Sequence, residues 1–369
     1  MKLKNLLLLL IVPFLITGCE FDLELYDPSK NGSLQFPSSS INGVDTNVIN
    51  PSNYKGSIKY AENNQTKLSK EEVYQKVVTS TVYITGPIEN AMILGSGVVF
   101  SEDDTYAYIF TNAHVVDELD TIDVTYSNYK KSSATIVGYN ILEDVAVIKV
   151  NKNNNYTVAT LQTSDNLIPG MDLLAIGTPA SLDFSFSVTS GVLSKIDSPI
   201  SSTFDESYGL LLLQVDVPLN NGNSGGPLFD LYGNLIGINS IKLLLDDNLN
   251  EIDDMNFSIP MERAVFMANS FFNNKPYIRG KIGISIIDLV DFTISEKASL
   301  NISLDYGLLV SESSNSAFKE NDIITKINNV EFKTRTGFQK ELYNYYNNEE
   351  ITFTVYRNNE YITVTSTLK

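Results

Sequence analysis

The chain has 369 residues, of which 43% are hydrophobic, so it is long enough for two domains with sizeable cores. Its 44 acidic residues outnumber 26 basic ones, and the resulting net charge of −18 argues against a nucleic-acid partner. The single cysteine excludes a disulfide scaffold and a thiolate-built zinc site, and the single histidine excludes a multi-histidine metal centre.

The N-terminus has the pattern of a secretory leader. Two early lysines precede an apolar run over residues 6–16, which is shorter than the roughly 20 residues of a membrane span. The run ends in Leu15-Ile16-Thr17-Gly18-Cys19, which resembles the lipobox of bacterial lipoproteins, where the cysteine is acylated and becomes the mature N-terminus. We expect a signal peptide over 1–18, a lipid anchor on Cys19 and an extracytoplasmic mature chain; the alternative is an ordinary signal peptide that leaves a stray thiol.

A change of composition marks the start of the folded part. Residues 19–68 are rich in Asn, Ser, Pro and Gly and predict a flexible tether. Ser69 and Glu72 then form a capping-box pattern, and Val73 and Val77 fall on one face of the short helix that it predicts.

Short β-type runs separated by turn residues follow, a pattern typical of an all-β barrel or sandwich. The predicted strands are Thr81–Thr85, Gly97–Ser101, Ala107–Thr111, Val145–Val150, Leu173–Ile176, Leu210–Val215 and Leu235–Asn239. A helix pattern over Met261–Phe272 and a linker over 273–276 close this first domain, which we predict to span residues 69–275.

Residues 276–369 read as a smaller mixed unit. The patterns predict strands near Ile282–Ile286 and Gly307–Val310, a helix near Phe338–Tyr346, and two final strands at Ile351–Tyr356 and Tyr361–Thr367.

Three segments of the first domain carry groups suited to acyl transfer. The only histidine, His114, directly follows a predicted strand; Asp144 begins an alternating strand; Ser224 lies in Gly222-Asn223-Ser224-Gly225-Gly226. A serine hydroxyl needs a neutral imidazole to take its proton, and the imidazole needs a carboxylate to fix its tautomer. The flanking glycines permit a backbone that aims the N–H groups of Gly222 and Ser224 at one oxyanion. The order His, Asp, Ser is that of chymotrypsin.

With these motifs the sequence resembles the HtrA (DegP-like) family of trypsin-fold serine proteases with a C-terminal PDZ domain. The resemblance also rests on the segments 95–99, 175–179, 190–194, 235–239 and 256–260, namely Gly-Ser-Gly-Val-Val, Ala-Ile-Gly-Thr-Pro, Ser-Gly-Val-Leu-Ser, Leu-Ile-Gly-Ile-Asn and Asn-Phe-Ser-Ile-Pro. It implies a mostly β fold, a chymotrypsin-like double β-barrel protease domain followed by a small α+β PDZ domain, without a metal or an organic cofactor. By this correspondence His114 is the general base, Asp144 its orienter and Ser224 the nucleophile.

The chain departs from the family at the nucleophile loop and leaves specificity open. Asn221 replaces the family's usual proline before Gly222, which loosens the segment that forms the oxyanion hole. Asp216 is the second candidate for the carboxylate. Pro218 stands where trypsin-like enzymes with Arg or Lys preference carry an acid, so we expect another preference. The resemblance implies that Ile238, Asn239 and Ser240 form one wall of the substrate pocket.

In the second domain the resemblance implies a peptide groove. The backbone N–H groups of Ile282, Gly283 and Ile284 would bind the C-terminal carboxylate of a peptide that extends the sheet as an added strand. The alternative is a β-rich spacer whose groove is blocked.

We expect an extracytoplasmic, membrane-anchored endopeptidase that degrades unfolded or damaged secreted proteins and is regulated by peptides at the PDZ domain. One alternative is a chaperone-like peptide-binding module with a rarely competent protease site; another is a processing protease with one surface substrate. Members of this family often form trimers, so the resemblance leaves a homotrimer as one candidate assembly.

Overall fold

The structure, a computed structural model, describes residues 46–48, 54–88, 91–179, 181–201, 209–240 and 255–369. The predicted signal peptide, Cys19 and most of the predicted tether lie outside the described residues. Within these ranges no helix has the length and apolar character needed to cross a bilayer.

The first barrel is a six-stranded antiparallel sheet that closes on itself. Its strands run in the order β6-β5-β2-β3-β4-β7, β6 pairs with β7 to close the ring, and β1 is added outside β6. The elements are β1 (Thr46–Val48), α1 (Lys70–Val77), β2 (Thr81–Ile88), β3 (Ala91–Glu102), β4 (Tyr106–Thr111), α2 (Ala113–Val116), β5 (Ile122–Tyr126), β6 (Lys131–Asn140) and β7 (Val145–Asn151).

The second barrel has the order β12-β9-β10-β11-β14-β13, closed by the β12–β13 pair, with the short β8 added beside β13. Its elements are β8 (Thr160–Leu161), β9 (Asp172–Gly177), β10 (Ser187–Ser201), β11 (Gly209–Val215), β12 (Pro227–Asp230), β13 (Asn234–Ser240), β14 (Asn256–Pro260) and α3 (Met261–Phe272). Helix α3 packs on the first barrel. Its Phe271 side chain occupies the space that a side chain at Gly138 of β6 would need.

Local sequence accounts for the start of α1. The Ser69 hydroxyl accepts from the Glu72 N–H at 3.2 Å and the Glu72 carboxylate accepts from the Ser69 N–H at 2.8 Å, so the predicted capping box is confirmed. Val73 and Val77, the apolar stripe of the helix, are buried in the core cluster that also contains residues of both barrels.

The second domain is a sheet in the order β15-β16-β17-β19-β20 with two helices. Its elements are β15 (Ile284–Asp288), α4 (Ile294–Ser299), β16 (Leu308–Ser313), β17 (Ile323–Ile327), β18 (Val330–Glu331), α5 (Arg335–Leu342), β19 (Glu350–Arg357) and β20 (Glu360–Thr367). Strand β15 pairs only with β16 among the described strands and so leaves one backbone edge open.

The fold class is confirmed, while some predicted elements are displaced. The strand predicted at residues 282–286 begins at Ile284, because Ile282 is buried in the domain core and Gly283 turns the chain with a φ of +76°. The helix predicted at residues 338–346 starts earlier, because the Thr334 hydroxyl accepts from the Gly337 N–H and caps it. The domain boundaries 69–275 and 276–369 stay predictions.

Candidate active site

Strand pairing in the first barrel brings His114 and Asp144 together. Thr111 at the end of β4 lies opposite Ala146 near the start of β7, so the residues just beyond these two strand ends become neighbours. His114 Nδ1 lies 2.8 Å from Asp144 Oδ1, which also accepts from the His114 backbone N–H at 3.3 Å. The imidazole is 37% exposed and the carboxylate only 2%, so the acid is shielded while the ring remains accessible from solvent.

Two further side chains hold Asp144. The Ser240 hydroxyl donates to its Oδ2 at 2.6 Å, and the Asn112 side-chain amide donates to its backbone carbonyl at 3.0 Å. Its φ of +56° lies in the left-handed region, which costs an aspartate free energy and persists where the surroundings determine the conformation.

The Ser224 loop is fastened to strand β3 and closely approaches the end of β4, the strand that leads to His114. The Ser224 carbonyl accepts from the Ser96 N–H of β3 at 2.8 Å. Gly225 comes so close that a Cβ there would lie 2.2 Å from Thr111 Oγ1 and 3.0 Å from the Asn112 nitrogen. Only glycine permits this approach, which sets Ser224 beside the residues that begin the His114 helix.

The segment before Ser224 forms a tight turn. The Asn223 N–H donates to the Asn220 carbonyl at 2.9 Å, and Gly222 at the third position has a φ of +97°. Asn221, at the second position, has no positive φ, so the turn fits type II, in which the third position needs glycine.

The turn leaves two amide groups available beside Ser224. Within the described ranges, the N–H groups of Gly222 and Ser224 donate to no protein acceptor, although both residues are buried. The Ser96 hydroxyl donates to the Gly222 carbonyl at 2.7 Å and accepts from the Thr178 N–H at 3.2 Å, which fixes that carbonyl toward β3. Buried N–H groups without acceptors suit a developing oxyanion.

Asp216, the second candidate for the carboxylate, is used elsewhere. Its Oδ1 accepts from the Val192 N–H at 2.5 Å, beside Gly191 of β10. The carboxylate bonded to His114 is therefore that of Asp144.

The residues expected to line a substrate pocket turn their side chains inward. Ile238 belongs to the hydrophobic core, Asn239 donates to the Pro227 carbonyl at 3.0 Å and accepts from Ser258, and Ser240 donates to Asp144. Any pocket wall that this strand forms would therefore consist of its backbone. Ser240 has a role at Asp144 that the sequence interpretation missed; a hydroxyl in a predicted buried strand was the available signal.

The segment predicted to bind a peptide carboxylate starts strand β15. The Gly283 carbonyl accepts from the Ser314 N–H at 2.9 Å, and the Ile282 carbonyl accepts from the Asn315 side chain at 2.8 Å. Arg335 of α5 donates to the Ile286 carbonyl of β15 at 3.0 Å. This contact had no signal in the sequence, since the two residues meet only through the tertiary fold.

Comparison with known proteins agrees with this architecture. Residues 95–238 match the family described as "Trypsin-like peptidase domain", and residues 280–368 match that described as "PDZ domain". The chain is 29% identical over 274 residues to "Serine protease Do-like HtrA" of Lactococcus lactis subsp. cremoris (strain MG1363), covering 71% of this chain and 67% of that protein. It is 31% identical over 259 residues to "Serine protease Do-like HtrB" of Bacillus subtilis (strain 168), covering 67% and 56%.

Among solved structures, the chain is similar to "HtrA-type protease AlgW with tripeptide", with a TM-score of 0.66, 25% identity and coverage of 81% of this chain and 96% of that one. It also resembles the serine endoprotease from Yersinia pestis, with a TM-score of 0.54. The chain spans about half the length of some relatives. For example, the match covers 47% of "Serine protease HtrA-like" of Staphylococcus epidermidis.

The first domain is a double β-barrel that carries a histidine–aspartate pair beside a serine loop, and a PDZ domain follows it. These features define a trypsin-like serine protease with an appended PDZ domain. The chain is an HtrA-like serine protease.

Proposed function

We propose that this chain is an endopeptidase in which Ser224 is the nucleophile, His114 the general base and Asp144 the residue that orients the imidazole. The observation that carries the proposal is the 2.8 Å contact between the buried Asp144 carboxylate and His114 Nδ1. This contact favours the tautomer whose Nε2 can accept the Ser224 proton.

The proposed reaction has two steps, acylation of Ser224 and hydrolysis of the acyl-enzyme. Ser224 Oγ attacks the substrate carbonyl carbon while its proton passes to His114, and the N–H groups of Gly222 and Ser224 stabilise the oxyanion. When the tetrahedral intermediate collapses, the imidazolium gives that proton to the departing amine. A water molecule then attacks the acyl-enzyme, His114 takes its proton, and Ser224 leaves with that proton. Asp144 stays ionised throughout and stabilises the imidazolium.

The PDZ domain is proposed to bind C-terminal peptides along the open edge of β15. Ile282, Gly283 and Ile284 lie at the start of this edge, and a peptide strand would continue the sheet from it. Because Arg335 donates to the Ile286 carbonyl on β15, a bound peptide that uses this carbonyl has to displace the arginine.

The proposed substrates are unfolded or damaged secreted proteins, and the proposed location is the extracytoplasmic face of a membrane, with the chain held by acylated Cys19. The leader pattern and the similarity to HtrA proteases support this location. Metabolic labelling with a palmitate analogue tests the anchor, since Cys19→Ala should abolish incorporation.

A homotrimer is proposed from the family resemblance, and size exclusion with light scattering on the chain from Ser69 tests it.

Turnover of casein, an unfolded protein, tests the function. The wild type should cleave it, and Ser224→Ala should not. Equal inertness of the two proteins, with both still binding C-terminal peptides, would replace the enzyme with the chaperone-like peptide-binding module. Cleavage of one surface protein alone in a substrate profile would instead indicate a dedicated processing protease.

A further inference from the structure

The residue that precedes the proposed catalytic aspartate is a buried acid with two cationic partners. The Glu143 side chain is 1% exposed, and its carboxylate accepts from Arg263 Nε at 2.7 Å and from Arg279 Nη2 at 2.8 Å. Such a pair of fork-shaped donors fixes both carboxylate oxygens, so the Glu143 side chain is held in one orientation.

This cluster joins the two domains. Arg263 belongs to α3 of the protease domain, Arg279 lies just before residues 280–368 that match the PDZ family, and Tyr343 follows α5 of the PDZ domain. Arg263 Nη1 donates to the Tyr343 carbonyl at 2.8 Å, and the Arg279 guanidinium stacks 3.6 Å from the centre of the Tyr343 ring. The Tyr343 hydroxyl and Arg279 Nη1 both donate to the Gly209 carbonyl at the start of β11, each at 2.5 Å.

The aromatic members of the cluster act as neutral partners. Burial raises the pKa of the Tyr277 and Tyr343 hydroxyls, so both keep their protons and remain donors at neutral pH. The Tyr277 hydroxyl donates to the Tyr343 carbonyl at 3.1 Å, and its ring lies 4.4 Å from the Arg263 guanidinium. The arginines are thus enclosed by rings and carbonyls that favour a cation.

The cluster ends one residue from a strained backbone. The Glu143 N–H donates to Asn140 Oδ1 at 3.0 Å and the Asp144 N–H donates to the Ile141 carbonyl at 3.2 Å, which forms a turn just before β7. Asp144 leaves this turn with its φ of +56°. A left-handed aspartate needs fixed neighbours, and Glu143 is fixed from outside the barrel by α3 and the PDZ domain.

We propose that Glu143 is a positioning residue for catalysis: anchored by Arg263, Arg279 and Tyr343, it holds Asp144 in the conformation that orients His114. Atoms of the PDZ domain thereby complete the support of the protease site. The inference rests on the proposed function, because it assigns Glu143 a role in that reaction.

The test replaces Glu143 with Gln in the full chain. One amide oxygen can still accept from one arginine, but the amide NH₂ faces the other, so the turn loosens. Sites are first titrated with a fluorophosphonate, and kcat and KM per titrated site are then measured on a fluorogenic peptide. We expect kcat to fall at least about tenfold with KM within about twofold, because an orienting interaction acts on the chemical step.

A matched control separates positioning from docking of the domains. Lys340 of α5 and Asp197 of β10 form another interdomain ion pair at 3.1 Å, and the ion pairs described above for Glu143 are with the two arginines rather than with this pair. Lys340→Met should keep kcat within about twofold. A loss equal to that of Glu143→Gln, or a Glu143→Gln enzyme as fast as the wild type, would overturn the proposal.

Two further variants keep the test decisive. If Glu143→Gln does not fold by circular dichroism, Arg279→Lys keeps the cation but gives up the stacked, forked contacts and should show the same kcat loss. In an Asp144→Asn background, Glu143→Gln should cost no further labelling rate, because its effect passes through Asp144; a fully multiplicative loss would contradict this role. Absence of fluorophosphonate labelling in the wild type would refute the proposed function itself, and with it the assignment.

Discussion

The proposed oxyanion site depends on the backbone freedom of one glycine, and Gly222→Ala tests it. In the type II turn over residues 220–223 the third residue has a φ of +97°, which costs an L-amino acid about 1–2 kcal/mol. Turning over the 221–222 peptide converts the turn to type I, with a negative φ that alanine adopts without strain. The Asn223 to Asn220 hydrogen bond survives this change, and the Ser96 hydroxyl holds only the next peptide.

Nothing among these contacts opposes the flip, so the alanine variant should adopt it. The N–H of residue 222 would then point away from the nucleophile, and the site would lose one of its two donors. Losing such a donor costs about 2.7–4 kcal/mol in the transition state, so kcat should fall about 10²–10³-fold. The His114–Asp144 contact is untouched, and KM for a short peptide should change little.

The assay is hydrolysis of a fluorogenic peptide, with kcat taken per titrated site. Asn221→Ala is the control: Asn221 is exposed and lies at the second turn position, where type I and type II turns both accept alanine. Its kcat should stay within about threefold of the wild type. A Gly222→Ala enzyme that retains more than a third of the wild-type kcat would refute the assignment of this N–H to the oxyanion.

Three other changes test the PDZ edge and two stabilising carboxylates. Arg335→Ala removes the 3.0 Å bond to the Ile286 carbonyl and should tighten C-terminal peptide binding about two- to tenfold by anisotropy; weaker binding would contradict a competing role. Burial opposes ionisation of Asp103, but hydrogen bonds from neighbouring N–H groups and a tyrosine hydroxyl outweigh it and lower its pKa. The stability it provides is therefore present above its ordinary pKa of about 3.9 and is lost as the pH falls through the lowered value, so Asp103→Ala should reduce the melting temperature at pH 7 but hardly at pH ~2. Arg357 forms a forked pair with Asp322 at 2.6 Å, and because that carboxylate is buried, Arg357→Ala should lower the free energy of unfolding by about 3–5 kcal/mol in urea; a loss below about 1 kcal/mol would contradict it.

The elements that the sequence predicted well are those that depend on local interactions. The capping box at Ser69 and Glu72 forms α1, and the helix over Met261–Phe272 has the predicted bounds. Alternating apolar runs located most of the barrel strands. The glycines around Ser224 also have local causes, since a positive φ or a close backbone approach admits no other residue.

The parts that sequence did not predict depend on contacts across the fold. Strand β10 extends over Ser187–Ser201 through a stretch with bulges and little alternation, because β9 and β11 supply its hydrogen bonds on both sides. The Ser240 hydroxyl donates to a carboxylate 96 positions earlier in the chain, a contact that the sequence did not predict. The role proposed for Glu143 depends on packing between the two domains, and the Arg335 contact depends on packing of α5 against β15 within the second domain.

The most direct measurement of the central claim is reaction with a fluorophosphonate followed by peptide mapping. A single adduct on Ser224 in the wild type, absent from His114→Ala and much slower in Asp144→Asn, is the predicted result. An adduct on another residue, or labelling of Ser224 at the same rate without His114, would contradict a serine activated by the imidazole that Asp144 holds.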